Sequence, residues 1–551
     1  MAVLSYATTS ATSHSSILLV LCGSCAAALL LLWYKSRQRH SIAQVRGPPV
    51  KNAIMGNIRD LSYQESVGDL DFEYLKEYGT AWRMQSTLGK PILVLSDPKG
   101  LQHVLHKSGY LYPKTTQSRI QTLVVTGRSI LWAPHGDTHS RHRKIMNPAF
   151  SAPQLRSFLP LFRKSSGKLC QLWKDQVHAT EGTTILINNW LARTTLDVVG
   201  EAAFDYDFGA LDNKDDELSK AYENMFTDAT LYPSAWNAVF QAFWDYLPER
   251  VLEQVRHIPT REYARTQGVL RVFAKYSRRL IAQKNAALAS DRSSRDVLSI
   301  LVRANASEDA KSRLSDEEMV SQMGALTLAG HETTANTITW MLYELARHPE
   351  YQGRMHAEIV AKRAEVAARG DADFSMEDLE ALEHLQAAIK ETLRYHPIAY
   401  LLNRMASEDD TIPLAYPIRS TKGELLSEIP ITKGQAIAVN IAAYNRLPEV
   451  WGQDAHVWNP MRFIEGKADP QIRVGMFGNL MSFSAGVRGC IGWRFSIIEM
   501  QAIVTDLVEN FRFTLPKDMP EIIRVPAAVM VPMIKGKQGE GCKLPLHVTP
   551  Y

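Results

Sequence analysis

Near the carboxyl end of this 551-residue chain, the run Phe483-Ser484-Ala485-Gly486-Val487-Arg488-Gly489-Cys490-Ile491-Gly492 sets one cysteine among three glycines, an arginine and an aromatic ring. A cysteine binds a metal as its thiolate, and a place at a helix N-terminus among backbone N–H groups favours that anion. Ile491, Phe495, Ile498, Met500, Ile503, Leu507 and Val508 recur at near-helical spacing with no interior proline, so Cys490 stands at a loop-to-helix junction. Gly486, Gly489 and Gly492 lack Cβ atoms and let the backbone turn tightly and come close to a flat macrocycle. Arg488 supplies a cation suited to a carboxylate on such a ring, and Phe483 a cover for the sulfur. A buried structural cysteine in a glycine-rich turn is the competing reading. It accounts for Cys490 and leaves the agreement of the other positions unexplained.

The run resembles the haem-binding loop of the cytochrome P-450 family, Phe-x-x-Gly-x-Arg-x-Cys-x-Gly, and the resemblance implies heme b with Cys490 as the axial thiolate on iron. A second element supports it. Ser315 and Glu318 form a capping-box pattern opening a long helix, on which Leu326, Ala329, Gly330, Thr333, Thr334 and Thr337 share one small, polar face. Such a face is unusual for a buried helix, and glycine there costs about 1 kcal/mol against alanine, so packing or function requires the close approach it permits. The stretch Ala329-Gly330-His331-Glu332-Thr333-Thr334 is similar to the family's Ala/Gly-Gly-x-Asp/Glu-Thr-Thr segment. By that resemblance Ala329 and Gly330 lie against the cofactor, Thr333 hydrogen-bonds dioxygen and Glu332 relays protons. The alternative for Thr333 is a hydroxyl bonded back to its own helix. His331-Glu332 also begins a zinc-protease H-E-x-x-H pattern, but the second histidine is missing because Ala335 occupies its place.

Glu391-Thr392-Leu393-Arg394, with Asn459-Pro460-Met461-Arg462-Phe463, resembles the family's buried Glu-Arg-Arg network, so Glu391, Arg394 and Arg462 are expected to be structural. Met461 departs from the pattern, since many members carry Glu there. Arg404 matches an arginine that reaches a haem propionate. The stretch His139-Ser140-Arg141-His142-Arg143 resembles the helix whose Trp-x-x-x-Arg contacts both propionates, with His139 in the tryptophan's place; a histidine can still donate to a carboxylate. Arg141, Arg143, Lys144 and Arg494 are candidates for a basic face that steers an acidic electron donor. The aromatic positions Trp236, Phe240, Phe243 and Trp244 keep helical spacing and, with 110–131 and 398–402, are expected to wall a substrate pocket.

The elements that must position these groups are mostly helical. Helical patterns dominate from Ala152 to Arg394, and alternating segments near Trp82 to Leu95 and Ile412 to Ile441 mark a smaller β-rich part, so the expected class is mainly α with the cytochrome P-450 fold. At the amino end, residues 17–34 are almost wholly apolar or small and, as a helix, would cover about 27 Å. Lys35, Arg37 and Arg39 follow and no cation precedes, which predicts a single-pass anchor with the catalytic body on the cytoplasmic side of the endoplasmic reticulum membrane. The expected organisation is a short lumenal segment 1–16, the anchor 17–34, a basic and Pro-rich linker 35–50 and a monooxygenase domain 51–551. A cleaved signal is the alternative, against which the uncharged start and the length of the run argue. The net charge of +4 gives no case for nucleic acid, and five scattered cysteines give none for a disulfide framework.

The resemblance implies a monooxygenase acting on an apolar small molecule, with electrons from NADPH through a membrane-bound cytochrome reductase, as in fungal members that act on terpenoids and other secondary metabolites. Membrane lipid is an expected contact. Two alternatives stay open: an isomerase or peroxygenase of the same fold that needs no external electrons, and a non-catalytic haem carrier.

Overall fold

The computed structural model describes residues 41–551 apart from 135, 179–181, 215–216, 218–230, 233, 259–260, 291–294, 310–311 and 467–470. The expected anchor at 17–34 lies outside the described residues; among those described, no helix is long and apolar enough to cross a membrane.

The elements that frame the site are β1 (Ala81–Gln85), β2 (Pro91–Leu95), α1 (Thr116–Thr126), α2 (Gly136–Met146), α3 (Leu159–His178), α4 (Ile187–Val199), α5 (Asp316–Arg347), α6 (Pro349–Ala368), α7 (Glu383–Tyr395), β3 (Leu401–Met405), β4 (Ala436–Asn440) and α8 (Trp493–Asn510). Helices predominate, as the periodicity predicts, and the strands gather in small sheets. The largest has the order β1-β2-β4-β3. Its β2 and β4 run parallel with Leu93 opposite Ile437, and β3 returns antiparallel with Arg404 opposite the same Ile437. That register fixes where the Arg404 side chain leaves the sheet.

Two buried helices carry the core. The capping box on α5 is present: the Ser315 hydroxyl accepts from the Glu318 N–H at 3.2 Å while the Glu318 carboxylate accepts from the Ser315 N–H at 2.9 Å. From there α5 runs for 32 residues, flanked by α4 and crossed by α8. Gly330 is where α4 comes closest, since a Cβ on it would fall 2.8 Å from Val199 Cγ2. The close approach this glycine allows is therefore to a neighbouring helix. α8 packs against α3 and α6 through Phe495, Ile498, Ile503, Leu507 and Val508, all buried, so the apolar spacing after Cys490 is a core stripe.

The folded body takes in part of the expected linker. Ile42 and Val45 are fully buried, Val45 bridges to Ser420, and the Arg46 carbonyl accepts from Arg83 N at 2.8 Å. Gly47 passes so close to β1 that a Cβ would sit 1.8 Å from the Arg83 carbonyl oxygen. Composition reads this stretch as a linker because two apolar side chains followed at once by Arg46-Gly47-Pro48-Pro49 are too few to mark a helix or a strand. The aromatic stripe divides: Trp244 is fully buried and Phe240 packs beside it, whereas Trp236 is 84% exposed.

Candidate active site

The cysteine loop is shaped by backbone geometry. Ser484 and Gly486 both adopt positive φ, at 59° and 66°, and a Cβ on Gly486 would lie 1.8 Å from the Leu105 carbonyl oxygen. Hydrogen bonds from Gly489 N to Gly486 O, 3.0 Å, and from Cys490 N to Phe483 O, 2.9 Å, close the loop. Gly492 then caps α8, and its N–H bonds the Cys490 sulfur. Phe483 sits within this turn, with its ring 6.4 Å from that of Phe477. Cys490 is accessible although it lies deep among protein atoms, as a side chain lining an internal hollow is. Burial raises its thiol pKa, and the Gly492 N–H and the Arg143 guanidinium pull it back toward the anion.

Across from this loop, α5 is accessible along Leu326, Ala329, Gly330, Glu332 and Thr333 while the other residues around them are buried. Thr334 turns the other way and its hydroxyl meets that of Ser496 on α8 at 2.9 Å, so the two helices join one residue beyond Thr333 and six beyond Cys490. Thr337 is buried as well. Thr333 itself donates to the Ala329 carbonyl at 2.6 Å, the local back-bond weighed from sequence, which leaves its oxygen as an acceptor. Burial alone pushes the Glu332 carboxyl up to about 8, so it holds a proton at neutral pH. His331 Nε2 lies 3.9 Å from its Oε1.

A cluster of cations marks the third side. Arg404 is 4% exposed and, among the described residues, its guanidinium donates only to the neighbouring Asn403 carbonyl, 3.0 Å. Arg488 donates to the carbonyls of Ala133 and Pro134, and its Nε is buried with no partner among the described residues. Arg143 reaches the Gly489 carbonyl at 2.5 Å, one residue from the cysteine. The sequence reading did not single out a fourth cation, Lys114, which donates to the Leu131 carbonyl. Burial, with Arg404 and Arg488 as like charges, brings its ammonium down to about 7. Burial, with Arg488 beside it, brings Arg404 down to about 10. Lys114 had no local signal, since Pro113-Lys114-Thr115 reads as an ordinary loop until the fold brings it to Arg404. His139 is held neutral, its pKa brought down to about 3 by burial and by Arg488, Arg143 and Lys114.

Among the described residues none of Arg143, Arg404, Arg488 and Lys114 has a carboxylate partner. Among the described residues, one buried and three half-buried basic side chains without a carboxylate partner form a site for a group that brings its own negative charge, and one guanidinium nitrogen lacks an acceptor. A dicarboxylate macrocycle lying between the accessible thiol and the accessible face of α5 fits these residues.

The structural network takes the form the sequence resemblance implies. Glu391 is fully buried and accepts from Arg394 Nε and Nη2, both at 2.8 Å, and from Arg462 Nε at 3.1 Å. The Asn459 N–H adds a bond at 2.7 Å, Arg462 Nη1 also meets the Asp454 carboxylate at 2.9 Å, and other guanidinium hydrogens go to carbonyls of Asn445, Trp451, Asp454, Ala455 and Val457. Met461 leaves this network intact. The proposed basic face is thinner than the sequence suggests. Arg141 is committed to Glu318 by two hydrogen bonds, 2.6 and 3.0 Å, which also tie α2 to the start of α5. Lys144 remains exposed beside Glu308, and Arg494 lies over the Trp493 ring.

The family model described as Cytochrome P450 matches residues 46–537. Similar proteins include cytochrome P450 monooxygenase 128 of Postia placenta, 34% identical over 95% of this chain and 94% of its own length. A ganoderic acid synthetase of Ganoderma lucidum is 31% identical over 91% and 93%, and a cytochrome P450 monooxygenase of Ampulloclitocybe clavipes 28% identical over 94% and 96%.

Proposed function

Because the chain belongs to the cytochrome P450 family and is a haem-thiolate monooxygenase, we propose that it oxidises an apolar small molecule of secondary metabolism, such as a terpenoid, with electrons from NADPH delivered by a membrane-bound reductase. The observation that carries the site assignment is the accessible Cys490 sulfur beside a set of inward basic side chains with no carboxylate partner among the described residues, opposite the polar opening on α5. Haem, when bound, supplies the activation of dioxygen, one atom of which enters the substrate while the other leaves as water.

The residues of this chain do the rest. Cys490 ligates the metal, with its sulfur held by the Gly492 N–H and neutralised in part by Arg143. Arg143, Arg404, Arg488 and Lys114 hold the carboxylates, and Phe483 shields the sulfur side from water. Glu332, protonated at neutral pH, holds a proton at its carboxyl oxygen beside the opening, and Thr333 presents an oxygen lone pair there. Ala329 keeps the floor of the substrate space small and apolar. The ganoderic acid synthetase relative supports a secondary-metabolite substrate, and the exposed Trp236 supports entry of an apolar molecule from lipid.

The test has two parts. The reduced, carbon-monoxide-treated protein is expected to show the strongly red-shifted Soret band of thiolate ligation, and Cys490→Ser to lose it; a wild-type spectrum without that band overturns the assignment. A library of terpenoids and other apolar compounds, screened for a spin-state shift and then for product, should give turnover that depends on both NADPH and reductase. Turnover with peroxide or no reductant would instead support the electron-independent reading.

A further inference from the structure

His139 stands where the resemblance expects a tryptophan, and an imidazole brings an ambiguity that an indole does not: either ring nitrogen can carry the proton. The structure holds a partner that removes it. The Tyr110 hydroxyl lies 3.1 Å from His139 Nδ1, with the rings edge-on at 5.9 Å. We propose that Tyr110 is a positioning residue that fixes His139 as the Nε2–H tautomer, so that this N–H takes over the donor role of the missing indole toward a haem carboxylate. The inference rests on the haem-thiolate reading above.

The direction of the bond follows from the partners. A phenol O–H is the stronger donor of this pair and an imidazole nitrogen the stronger acceptor, so in the proposed arrangement the phenol donates and Nδ1 accepts. His139 then has its single proton on Nε2. That nitrogen has no protein partner among the described residues: the charged groups near it, Arg488, Arg143 and Lys114, are donors only and are satisfied by the carbonyls of Ala133 and Pro134, Gly489 and Leu131. Burial, together with the same cations, keeps a second proton off the ring. Tyr110 is itself held in place. Its ring lies against Gly136, the first residue of α2, where a Cβ would come within 3.2 Å of the ring, and Arg488 sits 5.7 Å from the ring centroid. A residue of the loop before α1 thereby orients a side chain one turn into α2.

Transfer of haem from the full-length holoprotein to excess apomyoglobin reads this arrangement without using turnover. Tyr110→Phe keeps the ring and removes only the hydroxyl; it is expected to speed haem loss about fivefold, the effect of one lost hydrogen bond. In a His139→Trp background, whose indole N–H needs no tautomer control, Tyr110→Phe should change the rate less than twofold. His139→Gln, with an amide nitrogen near the Nε2 position, should retain haem far better than His139→Asn, whose amide falls near Nδ1. An unchanged rate in Tyr110→Phe, an equal acceleration in both backgrounds, or the reverse order of the Gln and Asn variants overturns the proposal. Each of these outcomes leaves the red-shifted Soret band in place, whereas failure of the haem-thiolate assignment removes the band from the wild type as well.

Discussion

Glu332 is the residue whose chemistry depends most on its surroundings. A carboxylic acid that burial keeps protonated to about pH 8 can act as a proton source at neutral pH, and Glu332→Gln keeps the shape while removing the transferable proton. Product formation is expected to fall about 100-fold, with peroxide release rising in compensation, measured as product and peroxide per NADPH consumed. The same group makes a stability prediction. Its folded pKa lies above its unfolded value of 4.5, so the folded protein holds a proton that the unfolded chain releases. The contribution is fully present below pH 4.5 and is lost as pH rises to 8, by at most about 5 kcal/mol. Melting curves from pH 5 to 8 should therefore show Glu332→Gln gaining steadily on the wild type, with no further gain above pH 8.

At the scale of elements, the haem loop depends on a network that touches neither thiol nor substrate space. Glu391 on α7 binds two arginines, and Arg394 and Arg462 hold the carbonyls of the segment that leads toward the loop. Replacing Glu391 by Gln leaves the buried Arg394 guanidinium without a counterion and Arg462 with only the half-exposed Asp454, at a cost of about 3–5 kcal/mol. Denaturant unfolding should show that loss, and haem content should fall with it. What could be read from sequence follows the same division. The Cys490 loop and the Thr333 segment were legible because each is contiguous and its spacing carries the meaning. The cation cluster was legible only in pieces, since Lys114, Arg143, Arg404 and Arg488 come from a loop, a helix, a strand and the cysteine turn. Arg141 looked like a surface charge because nothing local ties it to Glu318, 177 positions away. Gly330 was recognised as a close-approach position, but the partner that needs the space, Val199 on α4, belongs to a separate part of the chain.

At the scale of the whole molecule, the question is how electrons arrive. The basic groups proposed to steer a reductase reduce to few exposed ones, chiefly Lys144 and Arg494, once the internal commitments of Arg141 and Arg143 are counted. Steering by so few charges is expected to give a shallow response: lowering ionic strength should speed reduction of the metal by reductase only about two- to threefold in stopped-flow measurements. Lys144→Glu should remove most of that response. A rate indifferent to salt in the wild type would count against an electrostatic docking face on this side.

The burial of Ile42 and Val45, with Gly47 pressed onto β1, sets the length of the leash. Under the anchoring proposed for residues 17–34, only the seven residues from Lys35 to Ser41 lie between bilayer and clamped chain, and they reach at most about 25 Å. The catalytic body would thus be docked against the lipid surface with little freedom to roam, its tethered corner the edge of the four-stranded sheet. A membrane-bound electron donor would then meet it by diffusing in the plane of the membrane.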